Sequence, residues 1–224
     1  MKTQRTQAIV LRRTDYGEAD RILQLLTPEG RMNVMARGVR RQKSKLAGGI
    51  ELFATCDVVV GQGKGELGIL TSARLVAFYR HILEDYDRMQ FAYEVLKQVG
   101  RASETLDEPQ WYAIVSEVLK GLDERNIELS LTKTWFYLNF SAMVGYELNT
   151  WRDIQGNKLL QEAKYRYDSL EKGFTDAPNG ELTEAHIKLL RLIGTKPLTV
   201  VAQIGGISEV LSVCLQVSRE HAAI

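Results

Sequence analysis

The spacing of apolar residues changes abruptly near Tyr79, and this change constrains the fold more than any other feature of the sequence. Before Tyr79, short apolar runs are separated by turn residues such as Pro28 and Gly30. Residues 31–37 alternate, with Met32 and Val34 on the same side, which is typical of a half-exposed strand. After Tyr79, apolar residues recur at steps of three and four, which is typical of amphipathic helices. The sequence therefore predicts a strand-rich first part and a helical second part.

Five short strands are predicted in the first eighty residues, over 6–13, 21–27, 31–37, 52–60 and 66–78. No crossover helix separates the first strands. A five-stranded Greek-key barrel, the OB-fold, is the closed form that suits such a chain. We predict an α+β protein with two domains. An OB-fold domain that binds nucleic acid covers 1–80, and an all-α helical domain that binds partner proteins covers 81–224.

The helical half contains several amphipathic repeats. They predict a helix from about Ile82 to Gly100, a second over 111–122, a third over 131–145, a fourth over 182–193 and a last one over 208–220. We expect Ser208 to cap the last helix. The signal fades between residues 149 and 179, and for 159–167 both helix and strand stay open.

A glycine-bounded stretch, residues 38–49, carries four cations without an intervening acid. No carboxylate occurs between Arg31 and Glu51. Through Arg80 the chain has 14 Lys/Arg and 7 Asp/Glu, whereas from His81 onward it has 15 and 21. This asymmetry predicts that the first domain contacts nucleic acid, because cations that neutralise phosphates gain affinity through counterion release. The candidate contacts are Arg12, Arg13, Arg21, Arg31, Arg37, Arg40, Arg41, Lys43 and Lys45.

Two other interpretations of these charges stay open at this point. The loop could be merely solvated, or the basic half could neutralise the acidic half within the chain. The barrel also offers few aromatic platforms for base stacking. They are Tyr16, and Phe53, Phe78 and Tyr79, which we expect to pack in the core or between the domains. We therefore expect mostly contacts to the phosphate backbone, with strong salt dependence.

Several classes of site lack their sequence signature. The turn at residues 61–65 has no Gly-Lys-Ser/Thr ending for a phosphate loop. No pair of Cys or His has zinc spacing, and no nucleophile elbow or His-Glu-x-x-His motif occurs. We expect no catalytic residue, no metal and no cofactor, and hence a protein that is not an enzyme. The three histidines are interpreted as surface or helix-face residues.

The cysteines and the apolar segments bear on where the protein acts. Cys56 and Cys214 are interpreted as buried small hydrophobes rather than a disulfide pair, which favours a reducing compartment. No signal peptide is recognisable, and no window has the ~20 apolar residues of a membrane span. We expect a cytoplasmic protein associated with the nucleoid.

Several segments together form a recognisable pattern: Ala8-Ile-Val-Leu11, Asp15-Tyr-Gly-Glu-Ala-Asp-Arg21, Glu29-Gly30, residues 36–46, Leu52-Phe53, Glu66-Leu-Gly-Ile-Leu70 and, less closely, residues 136–146. In their order and spacing they resemble the bacterial recombination-mediator family RecO. The resemblance implies an OB-fold followed by a helical domain. It also implies DNA repair through the RecF pathway, with binding of single- and double-stranded DNA and annealing of complementary strands. The partners that it implies are RecR and single-stranded-DNA-binding protein, with RecA loaded onto the coated DNA as the outcome.

The chain departs from that family in one segment. Many members of the family carry a four-cysteine zinc module after the central helix, but residues 151–157 contain no cysteine. We therefore expect no zinc in this chain. Two alternative functions stay open. One is an adaptor that captures the acidic tail of single-stranded-DNA-binding protein and binds DNA only weakly, and the other is an RNA-binding OB-fold protein.

Overall fold

The computed structural model describes residues 3–62, 65 and 67–223. The chain forms two compact units, Met1–Glu124 and Arg125–Ile224. The first unit contains the predicted strands and the first two long helices, and the second contains the remaining helices. The domain boundary that the sequence predicts between residues 80 and 81 separates two functions, and it stays a prediction. The division into compact units is a different one, because it places the first two long helices with the strands.

Five strands close into a barrel in the first unit. They are β1 (Thr3–Tyr16), β2 (Asp20–Thr27), β3 (Gly30–Ala36), β4 (Ala54–Gly61) and β5 (Gly68–Phe78), in the order β1-β2-β3-β5-β4. Strand β1 pairs with both β2 and β4 and so closes the barrel, while β3 and β5 join through a short parallel pairing. This arrangement confirms the predicted OB-fold. The predicted start of the last strand, Glu66, lies outside the described residues.

The alternating sequence pattern explains which side chains fill the barrel. Val34 and Ala36 of β3 are buried and Asn33 is exposed, as the period of two predicts. Gly68 lets β5 pack closely on both of its neighbours, because a Cβ there would lie 2.6 Å from a methyl carbon of Val60 on β4 and 3.3 Å from one of Val34 on β3. A larger residue at Gly68 would push the closing strands apart.

Two helices complete the first unit: α1 (Tyr86–Thr105), which follows a 3₁₀ turn at Arg80–Glu84, and α2 (Gln110–Asp123). Asp85 caps α1, since its carboxylate accepts a hydrogen bond from the amide of Arg88 at 3.0 Å. The expected end of this helix at Gly100 is wrong. Gly100 is buried, and its carbonyl accepts a hydrogen bond from Gln24 Nε2 of the barrel at 3.2 Å, so the helix continues past this glycine while in contact with β2.

The second unit is mostly helical, as predicted, and adds one hairpin. Its helices are α3 (Leu129–Met143), α4 (Glu184–Thr195), α5 (Leu198–Val201) and α6 (Ser208–Ala222), and its hairpin consists of β6 (Tyr165–Asp168) and β7 (Gly173–Asp176). Within residues 159–167, for which the sequence left both helix and strand open, a strand begins at Tyr165. None of the helices in the described ranges is long and apolar enough to cross a membrane.

Three local expectations about the second unit need correction. The side chain of Ser208 does not cap α6, because its hydroxyl bonds to the carboxylate of Glu128. His186 and His221 are buried rather than exposed. His186 Nδ1 accepts from the amide of Thr183 at 3.1 Å and closes the first turn of α4. The ring of His221 lies between the hydroxyl of Tyr167 and the carbonyl of Tyr146, each at 2.8 Å.

Candidate nucleic-acid interface

The basic loop, defined here as residues 37–49, joins β3 to the segment before β4. Its apolar residues turn inward: Val39 and Ile50, just beyond the loop, belong to the barrel core, and Leu46 packs against it. Its first residues are also fixed by the β1–β2 turn. The amide of Gly38 donates to the carboxylate of Asp20 at 2.7 Å, and the amide of Arg40 donates to the carbonyl of Ala19 at 2.9 Å. The loop is thus anchored by backbone bonds and by apolar contacts while its cations remain outside.

The far end of the basic loop is pinned against β5. A short 3₁₀ turn at Ala47–Gly49 brings Gly49 so close to Ala73 that an added Cβ would lie 2.4 Å from the Ala73 carbonyl group. Only a glycine permits this approach of one backbone to another. The loop is therefore held at both ends, which presents the intervening charged residues on a defined part of the barrel.

Five of the nine predicted contacts lie on this loop, and all five are exposed: Arg37, Arg40, Arg41, Lys43 and Lys45. Within the described ranges, Arg40 alone among them has an acidic partner, at 3.5 Å from Asp15. Its guanidinium also donates to the carbonyl of Gly17 at 3.3 Å. The loop therefore presents an open positive surface rather than a set of neutralised pairs.

Three further predicted contacts, outside the loop, are also engaged in ion pairs. Arg13 lies 3.2 Å from Glu51, Arg21 lies 2.8 Å from Asp15, and Arg31 lies 3.5 Å from Glu104. The hydrogen bond from Arg21, together with the nearby Arg40, lowers the pKa of Asp15, so this carboxylate stays ionised beside the loop. The role of these three arginines as phosphate contacts stays a prediction.

Arg12 belongs to a different face of the same unit. It is exposed on β1 and lines a groove with Lys97 and Arg101, both exposed on α1. Sequence reasoning missed the two helical cations because they lie in the acidic half of the chain. Their spacing of four residues on an exposed helix face was the signal that could have found them.

Of the four aromatic residues considered in the barrel, two are buried and two are exposed. Phe53 and Tyr79 are buried, which confirms their structural role, whereas Phe78 is 40% exposed on β5. Tyr16 is 56% exposed at the end of β1, next to the turn that contacts the basic loop. One aromatic ring is therefore available for stacking beside the open cations.

The two cysteines carry no sign of reactive chemistry. Both are buried, and burial raises the pKa of Cys56 to about 11 and that of Cys214 to about 12. Their thiols stay protonated at neutral pH, because the thiolate is disfavoured away from water. The interpretation of both residues as small buried hydrophobes is confirmed.

Known proteins resemble this chain over most of its length. The DNA repair protein RecO of Roseiflexus sp. (strain RS-1) is 30% identical over 208 residues, which cover 89% of this chain and 73% of that protein. The chain belongs to the RecO family. The DNA repair protein RecO of Dehalococcoides mccartyi (strain CBDB1) is 29% identical over 217 residues, covering 93% of this chain and 85% of that relative.

The N-terminal signature of the RecO family coincides with the barrel. The family model described as "Recombination protein O N terminal" matches residues 1–79, and β5 ends at Phe78. The family resemblance stated from the sequence is thereby confirmed. Both the basic loop and the strands that anchor it fall within the matched region.

The segment of this RecO-family chain where a zinc module was considered does not fit a metal. In the described part of the chain, no group of three or more His, Cys, Asp or Glu could hold an ion. Polar side chains hold the segment instead. Asn149 accepts from the amides of Trp151 and Arg152, each at 3.0 Å, and Asp153 accepts from the amide of Asn157 at 2.8 Å. The indole of Trp151 also stacks on the guanidinium of Arg191, 3.5 Å from the ring centroid.

Proposed function

We propose that this member of the RecO family is a DNA repair and recombination mediator that binds single- and double-stranded DNA through the basic loop. In this proposal it anneals complementary strands. With RecR, it also helps load RecA onto DNA coated by single-stranded-DNA-binding protein. It performs these steps without breaking covalent bonds, and it acts in the cytoplasm because the chromosomal DNA is there. The observation that carries the proposal is the exposed set of cations on a loop anchored at both ends.

The chemistry of the loop favours binding to the phosphate backbone of any sequence. Lysine and arginine side chains neutralise phosphates and release counterions, which supplies affinity without base recognition. A mediator that pairs complementary strands has to bind each of them whatever its sequence. Tyr16, exposed near the loop, adds a stacking surface that also tolerates every base.

The partners in the proposal rest on family membership rather than on geometry. RecR and the acidic tail of single-stranded-DNA-binding protein are implied by the RecO family. The second unit offers an exposed cation that an acidic tail could contact, Lys158, with Ile187 and Leu159 nearby in the same surface depression. Lys188 in that depression is instead paired with Glu184 at 2.7 Å. Binding to each partner is to be measured directly with purified proteins.

The experiment that tests the proposal replaces four cations of the loop, Arg40, Arg41, Lys43 and Lys45, with alanine. Binding of a fluorescent single strand is measured by anisotropy across a salt series. If each cation contacts one phosphate of a single strand, the salt slope falls by about 2.8, and the affinity at ~0.1 M salt drops about 600-fold if the curves converge near 1 M. Annealing of complementary strands, with and without single-stranded-DNA-binding protein, should slow in parallel.

A control with the same loss of charge separates local contact from net charge. It replaces four exposed cations outside the loop with alanine: Lys120, Lys164, Lys196 and Arg219. The control should keep most of the salt slope. An unchanged slope in the loop variant would refute the proposed interface. In a competition between RNA and DNA oligonucleotides of matched sequence, a preference for RNA would favour an RNA-binding protein. Capture of the acidic tail without DNA binding would favour the adaptor.

A further inference from the structure

A second positively charged surface lies on the first unit, apart from the basic loop. It is a groove between the barrel and α1, with Arg12 and Gln24 on the barrel side and Tyr93, Lys97 and Arg101 on the helix side. The basic loop does not line it. All of these residues lie within the compact unit Met1–Glu124.

The spacing along α1 explains why one wall of the groove is cationic and aromatic. Tyr93, Lys97 and Arg101 follow at intervals of four residues, so they form one stripe about 12 Å long at 1.5 Å per residue. All three are exposed. Leu96 and Gly100 also line the groove, and the carbonyl of Gly100 accepts a hydrogen bond from the buried Gln24 at 3.2 Å, which ties the helix to the barrel.

The charges of the groove are not neutralised within the first unit. Among the residues that the structure describes, no acidic side chain forms an ion pair with Arg12, Lys97 or Arg101. Glu104 is the carboxylate that lines the groove, at its end, and it pairs with Arg31 at 3.5 Å. The groove therefore has three cations without an acidic partner and one carboxylate that is already paired. Its net positive charge is complementary to a polyanion.

The aromatic residue of the groove is held in a fixed orientation. The ring of Tyr93 meets that of Phe53 edge to face, with centroids 4.8 Å apart and planes at 70°. Phe53 is buried, whereas Tyr93 remains 45% exposed. A fixed, exposed ring beside a row of cations is the combination by which proteins bind single-stranded nucleic acid of any sequence.

We propose that this groove is a second contact site for single-stranded DNA, in which Tyr93 stacks on a base and Arg12, Lys97 and Arg101 contact phosphates. The inference rests on the proposed function in that it takes DNA as the ligand. Each strand of B-form DNA carries one phosphate per ~3.4 Å of helix axis, and the phosphates of an extended single strand are more widely spaced, so the stripe of about 12 Å is long enough for two or more of them. Arg12 lies four residues along β1 from Tyr16, about 13 Å in an extended strand, so one DNA strand can reach both surfaces.

The test uses the full-length protein and two kinds of variant. The first, Lys97→Ala with Arg101→Ala, should lower the salt slope for a single strand by about 1.4, which is a loss of about 25-fold at ~0.1 M salt if the curves converge near 1 M. The control, Lys120→Ala with Lys196→Ala, removes the same charge from exposed positions elsewhere and should leave the slope near that of the wild type.

The second kind of variant tests the stacking contact. An oligonucleotide containing 2-aminopurine reports stacking through its fluorescence. Tyr93→Leu should reduce the fluorescence change, because Tyr16 remains as a stacking surface, and should weaken binding about tenfold. Tyr93→Phe, which keeps the ring, should retain the full change and the affinity. Melting temperatures measured by circular dichroism confirm that each variant is folded.

The results separate this inference from the proposed function. If the loop variant loses DNA binding while both groove variants behave like the wild type, the groove inference is overturned and the loop interface stands. If the groove variants lose binding and the loop variant does not, the loop assignment fails instead. Groove variants that keep DNA affinity but lose affinity for a poly-glutamate peptide would also overturn the inference, since the groove would then bind an acidic protein segment.

Discussion

Gly49 is the residue through which the basic loop is pinned to the barrel, and replacing it with alanine tests that anchoring. The added Cβ would lie 2.4 Å from both the carbonyl carbon and the carbonyl oxygen of Ala73, and 2.7 Å from its Cβ. These atoms belong to β5, so they cannot rotate aside as a flexible side chain would. The backbone of Gly49 does not adopt a positive φ, so the predicted effect comes from the close approach alone.

The magnitude follows from the cost of inserting an atom into a packed contact. Overpacking of this kind costs about 1–3 kcal/mol, and the rigid backbone of β5 places Gly49→Ala near the upper value. In a chain of this size, 1 kcal/mol corresponds to a shift of about 2–4 °C in melting temperature, so we expect a decrease of about 6–12 °C. The neighbouring Ile50, which is 1% exposed, would lose part of its packing as the loop moves.

The chain provides a matched control one residue away. Gly48 is exposed, and a Cβ on it would meet no atom within 4 Å. Gly48→Ala should therefore be neutral or stabilise the protein by about 0.4–1 kcal/mol, because alanine restricts the unfolded chain.

Urea denaturation followed by circular dichroism gives the free energy of unfolding of both variants, and anisotropy gives their affinity for a single strand. We expect Gly49→Ala to lose stability and salt-dependent binding together. If Gly49→Ala unfolds at the same urea concentration as Gly48→Ala, the contact with β5 does not anchor the loop and the reasoning is refuted.

Three further predictions concern buried groups. Gln24→Ala should lower the free energy of unfolding by about 1 kcal/mol, because the carbonyl of Gly100 loses a buried donor, and urea curves identical to wild type would contradict this. Burial lowers the pKa of His221 below 6.5, so the folded state disfavours the proton. Stability should therefore be full above that pH and decrease as the pH falls below it, and His221→Gln should flatten this decrease in urea titrations from about pH 8 to about pH 5. Cys56 and Cys214 should resist a thiol reagent at neutral pH until urea unfolds the protein, so rapid labelling of the native state would show that they are accessible.

The strands of the barrel were predictable because their signal is local. Alternation of apolar and polar residues assigns an inner and an outer face to each strand, and turn residues such as Pro28 and Gly30 divide them. The end of α1 was not predictable in this way. A glycine at position 100 signals termination in an isolated helix, but packing against Gln24 retains it inside the helix, which continues to Thr105.

The histidines illustrate the same limit. His221 has polar and charged neighbours in sequence, which suggests exposure. Its burial depends on Tyr146 and Tyr167, which approach its ring from 75 and 54 residues away. Since both partners are distant along the chain, no local pattern could reveal them.

The sequence by itself determined that the first eighty residues carry a cationic surplus on an OB-fold, because charge and strand periodicity are properties of short segments. The tertiary structure alone decided which cations remain open. Arg41 is exposed and Arg31 is paired with Glu104, although both lie in the stretch of residues 31–50 that contains no carboxylate. Folding likewise brought Lys97 to Arg12 across the groove. The physical reason is that the neutralisation of a charge depends on partners that packing brings from distant parts of the chain.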